Sequence, residues 1–97
     1  MFSKIKHLKN LRSQAKQMQN ALSEEKVTRE RGGIRLTMDG NQAIVELTIT
    51  DEALLSPANK EKLEKALKEI LTDTSSEAKR LMAKKVQEMG GLSSLGL

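Results

Sequence analysis

The segment from residue 33 to residue 50 restricts the fold of this chain more than any other part of the sequence. Apolar and polar residues alternate on both sides of Asp39-Gly40, with Ile34, Leu36 and Met38 before the pair and Ala43, Val45, Leu47 and Ile49 after it. This alternation predicts two antiparallel strands joined by a tight turn, in which Gly40 adopts a positive φ. Because such a sheet has one apolar face, another part of the chain must cover that face.

The flanking segments predict one more strand and two helices. KVTRER at residues 26–31, followed by Gly32-Gly33, predicts a strand and a turn. Within residues 1–25, apolar residues recur at intervals of three and four, which predicts a helix with an apolar seam of Leu8, Leu11, Ala15, Met18 and Leu22. Residues 56–89 predict a long helix that Ser56 caps and Pro57 begins, and residues 90–97 predict a flexible tail.

The lengths of these segments predict helices that project beyond the sheet. A strand of about nine residues spans roughly 30 Å, whereas an unbroken helix over residues 57–89 spans about 50 Å. The apolar stripe of the last helix continues to its end, so we expect the N-terminal helix, or a second copy of the chain, to cover it. TDTSS (72–76) consists of poor helix formers, which leaves a kink or a break there open.

The composition indicates one small domain over residues 1–97 that is marginal as a monomer. The chain has one Phe and neither Trp nor Tyr, so its core lacks the large side chains that usually stabilise a domain of this size. It has no Cys, which excludes disulfides and thiolate metal sites and suits a reducing cytoplasm. We find no apolar run long enough to span a membrane and no secretory signal.

The N-terminal segment carries a positive charge that nearby acids do not neutralise. Residues 1–22 contain five Lys or Arg and no acid, whereas the later sequence mixes both signs. Lys9, Arg12 and Lys16 fall within about 60° of each other around the predicted helix and form a stripe roughly 10 Å long, with Lys6 further round. Such a stripe can follow a phosphate backbone, although a simply solvated helix face has the same pattern.

A second group of bases lies near the end of the last predicted helix. It consists of Lys79, Arg80, Lys84 and Lys85, with only Glu88 nearby. If the two terminal helices pair, both groups can flank one groove. The alternative interpretation is that positive charge stabilises the C-terminal end of a helix.

The strand arginines have a simpler interpretation. Arg29, Arg31 and Arg35 are expected to be exposed, and Arg31 and Arg35 can also pair with Glu30 or Glu46 across strands.

No group of residues predicts catalysis or a bound cofactor. His7 is the only His and has neither Cys nor clustered carboxylates near it in sequence, so it cannot build a metal site. Ser75 and Ser76 have no His partner, and the glycines match no phosphate-binding loop. We therefore expect no enzyme activity, cofactor, metal or small-molecule substrate. The near absence of aromatic residues also favours duplex over single-stranded nucleic acid, because bases cannot stack on the protein.

Several motifs, in order, resemble the YbaB/EbfC family of bacterial nucleoid-associated proteins. They are QAKQMQNAL (14–22), GGIRLTMDGNQAIVELTITDEALL (32–55), NKEKLEKALKEIL (59–71) and the GGL after the last predicted helix. The resemblance covers nearly the whole chain, although TDTSSEA (72–78) departs from the family pattern and the tail is short.

This resemblance implies an α+β homodimer with a helix, a three-stranded antiparallel sheet and a long helix in each chain. In the family the strands join across the dimer and the helices protrude as tweezer-like arms. The resemblance also implies binding of double-stranded DNA in the nucleoid, with little sequence preference and with the arms as the contact surface. The residues assigned to that contact are Lys6, Lys9, Arg12, Lys16, Lys79, Arg80 and Lys84. The alternative is a coiled-coil-like adaptor that binds a protein through the apolar seams of the arms.

Overall fold

The computed structural model describes the backbone from Phe2 to Met89 and the side chains from Asn10 to Met89. In chain order the elements are α1 (Phe2–Glu24), β1 (Lys26–Arg31), β2 (Ile34–Asp39), β3 (Ile44–Ile49), two 3₁₀ helices (Glu52–Leu55 and Pro57–Asn59) and α2 (Lys60–Glu88). The helix, the three-stranded antiparallel sheet and the long helix confirm the predicted fold class. The predicted tail at residues 90–97 lies outside the described residues.

The sheet has the order β1-β2-β3, with both pairs antiparallel. Gly32 and Gly33 join β1 to β2 with φ values of 62° and 87°. Two successive positive φ values define the two-residue turn whose twist matches that of a β-hairpin, which explains the pair of glycines. β2 is the central strand, and Ile34 and Leu36 on it are completely buried.

The turn between β2 and β3 differs from the predicted one. The positive φ, 65°, occurs at Gln42 rather than at Gly40. Gly40 is required instead because a Cβ there would lie 2.8 Å from the carbonyl oxygen of Leu22. The Gly40 N–H donates to that same oxygen at 2.8 Å and to the Glu25 carbonyl at 3.0 Å. Asn41 Nδ2 donates to the Gln19 carbonyl at 3.0 Å, so this turn is attached to the C-terminal end of α1.

The ladder between β2 and β3 shifts by one residue after Thr37. Met38 pairs with Ile44, which leaves Val45 as an extra residue in β3. The strict alternation predicted for Ala43, Val45, Leu47 and Ile49 is therefore interrupted at this bulge, while Leu47 and Ile49 pair with Leu36 and Ile34. A strict alternation cannot reveal such a shift, because both registers place apolar residues along the strand.

α2 covers β1 and β2 but leaves β3 largely uncovered. Its buried residues are spaced four apart, at Ala66, Ile70, Thr74 and Ala78. Ala66, Ile70 and Ala78 pack in one core with Ile34, Leu36, Met38 and Leu54. On β3, by contrast, Ile44, Val45 and Leu47 remain 49–54% exposed. The monomer therefore has an apolar surface along one edge of its sheet.

The course of α2 settles one point that the sequence left open and corrects the predicted start of the helix. The helix continues without a break through residues 72–76, where Thr74 is completely buried against the sheet. The α-helix begins at Lys60 rather than at residue 56. Ser56 caps the preceding 3₁₀ turn, since its Oγ accepts from the Ala58 N–H at 3.4 Å.

Both helices extend from the same end of the sheet. α2 passes the β2–β3 turn at Ser75, whose Oγ donates to Gln42 Oε1 at 2.8 Å, and then continues to Glu88. α1 is about 35 Å long, and its hydrogen bonds and ion pairs to the rest of the described chain start at Gln19, near its C-terminal end. The chain accordingly measures 64 × 22 × 18 Å. We refer to α1 and to residues 79–89 of α2 as the arms.

Candidate nucleic-acid interface

The arm formed by α1 presents exposed cations. Arg12 and Lys16 are exposed, and their four-residue separation places them about 6 Å apart along the helix axis. No ion pair involves either residue among the side chains that the structure describes. Lys6 and Lys9 belong to α1, but their side chains lie outside the described residues. Arg12 and Lys16 thus offer positive charge that can turn towards a ligand.

The predicted apolar seam of α1 is only partly enclosed. Leu22 is buried, Leu11 and Met18 are half-buried, and Ala15 is exposed. The side chain of Leu8 lies outside the described residues. Among the described residues of the seam only Leu22 is fully buried, as expected for a helix that is attached mainly at its C-terminal end.

The arm formed by the end of α2 also carries exposed cations. Lys79, Arg80 and Lys84 are all exposed. Lys85 differs from them, because its Nζ lies 3.3 Å from Glu25 Oε1 and its side chain is only 26% exposed. Lys85 therefore connects α2 to the end of α1 rather than facing a ligand.

The two groups of cations lie at the same end of the molecule. Lys84 and Lys85 line an open groove with Glu25, Leu81 and Glu88, where α1 meets α2. Lys16 and Arg12 are about 14 Å and 20 Å further along the axis of α1 from Glu25. Charge is therefore distributed along the arms and is not concentrated in one pocket.

The strand arginines are neutralised within the chain. Arg35 Nη2 lies 3.5 Å from Glu30 Oε2, which confirms the expected pairing across strands. Arg31 pairs instead with α2, through Asp73 Oδ2 at 2.6 Å and Glu69 Oε2 at 3.8 Å. These two arginines therefore stabilise the packing of strands and helix, although exposed ion pairs contribute only about 0–1 kcal/mol each.

Arg29 and Arg80 share one carboxylate. Glu77 Oε1 accepts from Arg80 Nη1 at 3.0 Å and lies 3.3 Å from Arg29 Nη2. The sequence did not single out Glu77 or assign Arg29 to the interface. The three-residue spacing between Glu77 and Arg80 predicts their contact, but the position of Arg29 next to them depends on the fold.

The charge on the face of α2 that carries Glu77 and Arg80 changes from negative to positive along the helix. Glu69, Asp73 and Glu77, at four-residue intervals, pair with β1. Past them, Arg80 and Lys84 continue the same face of the helix. The acids thus lie beside the sheet and the cations lie on the arm. Glu77 is the last acid before this positive section.

The described residues show no second kind of site. No group of three or more His, Cys, Asp or Glu in this part of the chain is arranged to hold a metal ion. No described helix is both long enough and apolar enough to cross a membrane.

Comparison with known proteins agrees with the arrangement of helices and strands. A search of curated proteins returned no match. The profile of the YbaB/EbfC DNA-binding family matches residues 1–93 of the 97, which includes the whole fold and both groups of cations. The chain belongs to the YbaB/EbfC DNA-binding family.

Proposed function

We propose that this protein is a nucleoid-associated protein that binds duplex DNA through Lys–phosphate and Arg–phosphate contacts on its arms. Membership of a DNA-binding family supports the choice of ligand. The observation that carries the proposal is the exposure of Arg12 and Lys16 on a helix that has no acid before Glu24. The strand arginines, in contrast, already have carboxylate partners.

The contacts act mainly by releasing counterions from the DNA. Each phosphate that a Lys or Arg neutralises lowers the slope of log K against log salt by about 0.9. The stripe of Lys9, Arg12 and Lys16 is roughly 10 Å long, comparable with three phosphates of one strand at about 3.4 Å of rise each. Contacts of this kind position the DNA but do not read its bases, which is why we expect little sequence preference.

The active form in this proposal is a homodimer assembled through β3. β3 is an edge strand with three half-exposed apolar residues, Ile44, Val45 and Leu47. An exposed apolar edge strand readily pairs with another strand, and a twofold axis allows the same strand of a second copy to fill that position. In the YbaB/EbfC family the strands join across the dimer, which supports a second copy of the chain as the partner of β3. Two copies would present two sets of arms to one duplex.

The test is a binding titration of random-sequence duplex DNA at two salt concentrations. K9E/R12E/K16E should abolish binding, whereas K62E/K65E/K68E should not. Lys62, Lys65 and Lys68 are exposed on the first half of α2, so the control changes net charge equally at the other end of the molecule. Circular dichroism and solution mass establish that each variant remains folded and associated. Equal loss of binding in both variants, or unchanged binding in K9E/R12E/K16E, would discard the arms as the contact surface.

A protein-binding adaptor is the second candidate function. It is favoured by the half-buried apolar side chains along the arms, at Leu11, Met18, Met82, Val86 and Met89. An apolar contact is insensitive to moderate salt, and L11D or M82D should abolish it while the dimer survives. If wild-type protein shows no salt-dependent affinity for duplex DNA, the adaptor replaces DNA binding as the preferred function.

A further inference from the structure

We propose that Arg29, Arg80 and Lys84 form a binding site for one phosphate of the DNA backbone, and that the Glu77 carboxylate occupies this site in the absence of DNA. The inference rests on the proposed function and adds to it a defined contact at the base of the arm. It also assigns an inhibitory role to an acid within the protein.

Glu77 lies between two arginines in a geometry that also suits a phosphate. A single carboxylate oxygen, Oε1, contacts two guanidinium groups, at 3.0 Å from Arg80 and 3.3 Å from Arg29. Lys84 lines an open groove with Glu77 and Arg80. Two guanidinium groups, one from β1 and one from α2, thus contact one carboxylate, and a lysine lines the groove next to them. Guanidinium groups bind carboxylate and phosphate oxygens with the same planar donor arrangement, so a phosphate can replace the carboxylate.

Both arginines are accessible to a ligand from solvent. The side chain of Arg80 is 80% exposed and that of Arg29 is 49% exposed. Ion pairs at such exposed positions are weak, with a strength of at most a factor of about five in an equilibrium constant. A phosphate of the duplex can therefore displace Glu77, because the neighbouring phosphates add to the negative potential that attracts the two arginines. The Arg31–Asp73 pair is a poorer candidate, because Glu69 also lies near Arg31 and leaves two acids at that position.

Glu77 lies on α2 at the boundary between the acidic and the cationic section of one helix face. It is the last acid of the series that neutralises β1, and Arg80 and Lys84 follow it on the same face. A phosphate at this point would extend the line of contacts from the arm onto the sheet. Glu77 then limits the affinity, both by holding the two arginines and by repelling an approaching phosphate.

The experiment compares E77Q with E64Q in a duplex-DNA titration across salt concentrations. Glu64 pairs with Lys60 at 3.9 Å on α2, so E64Q also removes one acid from an exposed ion pair and changes net charge equally. We expect E77Q to bind about three- to tenfold more tightly than wild type, since two weak ion pairs are released. Because DNA already displaces Glu77 from this site in wild type, the gain in E77Q should appear as higher affinity, with a salt slope close to that of wild type. E64Q should change the affinity by less than about twofold, because its site is remote from the arms.

A double variant tests whether the higher affinity of E77Q depends on Arg80. In E77Q/R80Q most of the gain should disappear, because a principal phosphate ligand is missing. R80Q alone, which alters a largely exposed side chain and should fold normally, is expected to lower the salt slope by about 0.9. It keeps the proposal testable even if E77Q does not fold.

The failure of this inference is distinguishable from the failure of the proposed function. Equal affinities of E77Q and E64Q, or an unchanged salt slope in R80Q, overturn the phosphate site while DNA binding by wild type stands. If wild type does not bind duplex DNA at all, the proposed function and the site are overturned together.

Discussion

Replacement of Gly40 by Ala tests how the α1 arm is attached to the sheet. Gly40 does not have a positive φ, so backbone strain makes no contribution to the effect. The new Cβ would lie 2.8 Å from the Leu22 carbonyl oxygen and 2.9 Å from Leu22 Cδ2. Ordinary contacts of this kind begin near 3.4 Å, so α1 and the turn must separate by several tenths of an ångström.

The expected cost follows from these contacts. Overpacking of a close contact usually destabilises a protein by about 1–3 kcal/mol. The movement also lengthens the hydrogen bonds from the Gly40 N–H to the Leu22 and Glu25 carbonyls, now 2.8 and 3.0 Å, and a hydrogen bond contributes about 0.5–1.5 kcal/mol. Ala lowers the entropy of the unfolded chain, which offsets less than about 1 kcal/mol. We therefore expect G40A to lower the free energy of unfolding by about 2–4 kcal/mol.

Urea denaturation at fixed protein concentration provides the measurement. Far-ultraviolet circular dichroism is the suitable signal, because the chain has neither Trp nor Tyr. Q42G is the control, since Gln42 holds the positive φ of this turn. It should change stability by less than about 1 kcal/mol, because relief of strain opposes the lost contact with Ser75. Wild-type stability in G40A, with a large loss in Q42G, would refute this account of the turn.

Three further substitutions test the fold and its assembly. Leu47→Lys, at an exposed position on β3, should convert the proposed dimer to a monomer of 10.8 kDa by light scattering, and a dimer of unchanged mass would place the interface elsewhere. Thr74→Val should raise the free energy of unfolding by about 1 kcal/mol. Its buried hydroxyl has no hydrogen-bond partner in the described part of the chain. If urea denaturation gives a lower free energy of unfolding for this variant than for wild type, the hydroxyl does have a hydrogen-bond partner. Leu36→Ala should lower that free energy by about 2–5 kcal/mol because Leu36 is completely buried, and a loss below about 1 kcal/mol would contradict its place in the core.

The sequence predicted those features of the fold that depend on local pattern. Alternation at Ile34, Leu36 and Met38 indicated the buried face of β2, and Gly32-Gly33 indicated the first turn. The register of β3 was not predictable, because it depends on how the second turn packs. In that turn Asp39 Oδ1 accepts from the N–H groups of Asn41 and Ala43, and Gly40 packs on α1.

The candidate interface, like the fold, was only partly predictable from the sequence. The exposure of Arg12 and Lys16 could be expected, because a helix without acids offers no local partners for its bases. The pairing of Arg31 with Asp73 could not, since 42 residues separate them and only the packing of α2 on β1 brings them together. The same packing places Arg29 beside Glu77. Local charge therefore predicts a cationic arm, while the limit of its positive surface requires the tertiary structure.

The most direct test of DNA binding through the arms is the salt dependence of duplex affinity in R12Q/K16Q, compared with K62Q/K65Q. All four side chains are exposed, and both variants lose two positive charges. If Arg12 and Lys16 each neutralise one phosphate, the first variant loses about 1.8 from the slope of log K against log salt per protomer in contact, equivalent to about 60-fold in affinity at 0.1 M salt. The second variant should keep the wild-type slope. Equal slopes in the two variants would contradict the claim that the arms hold the DNA.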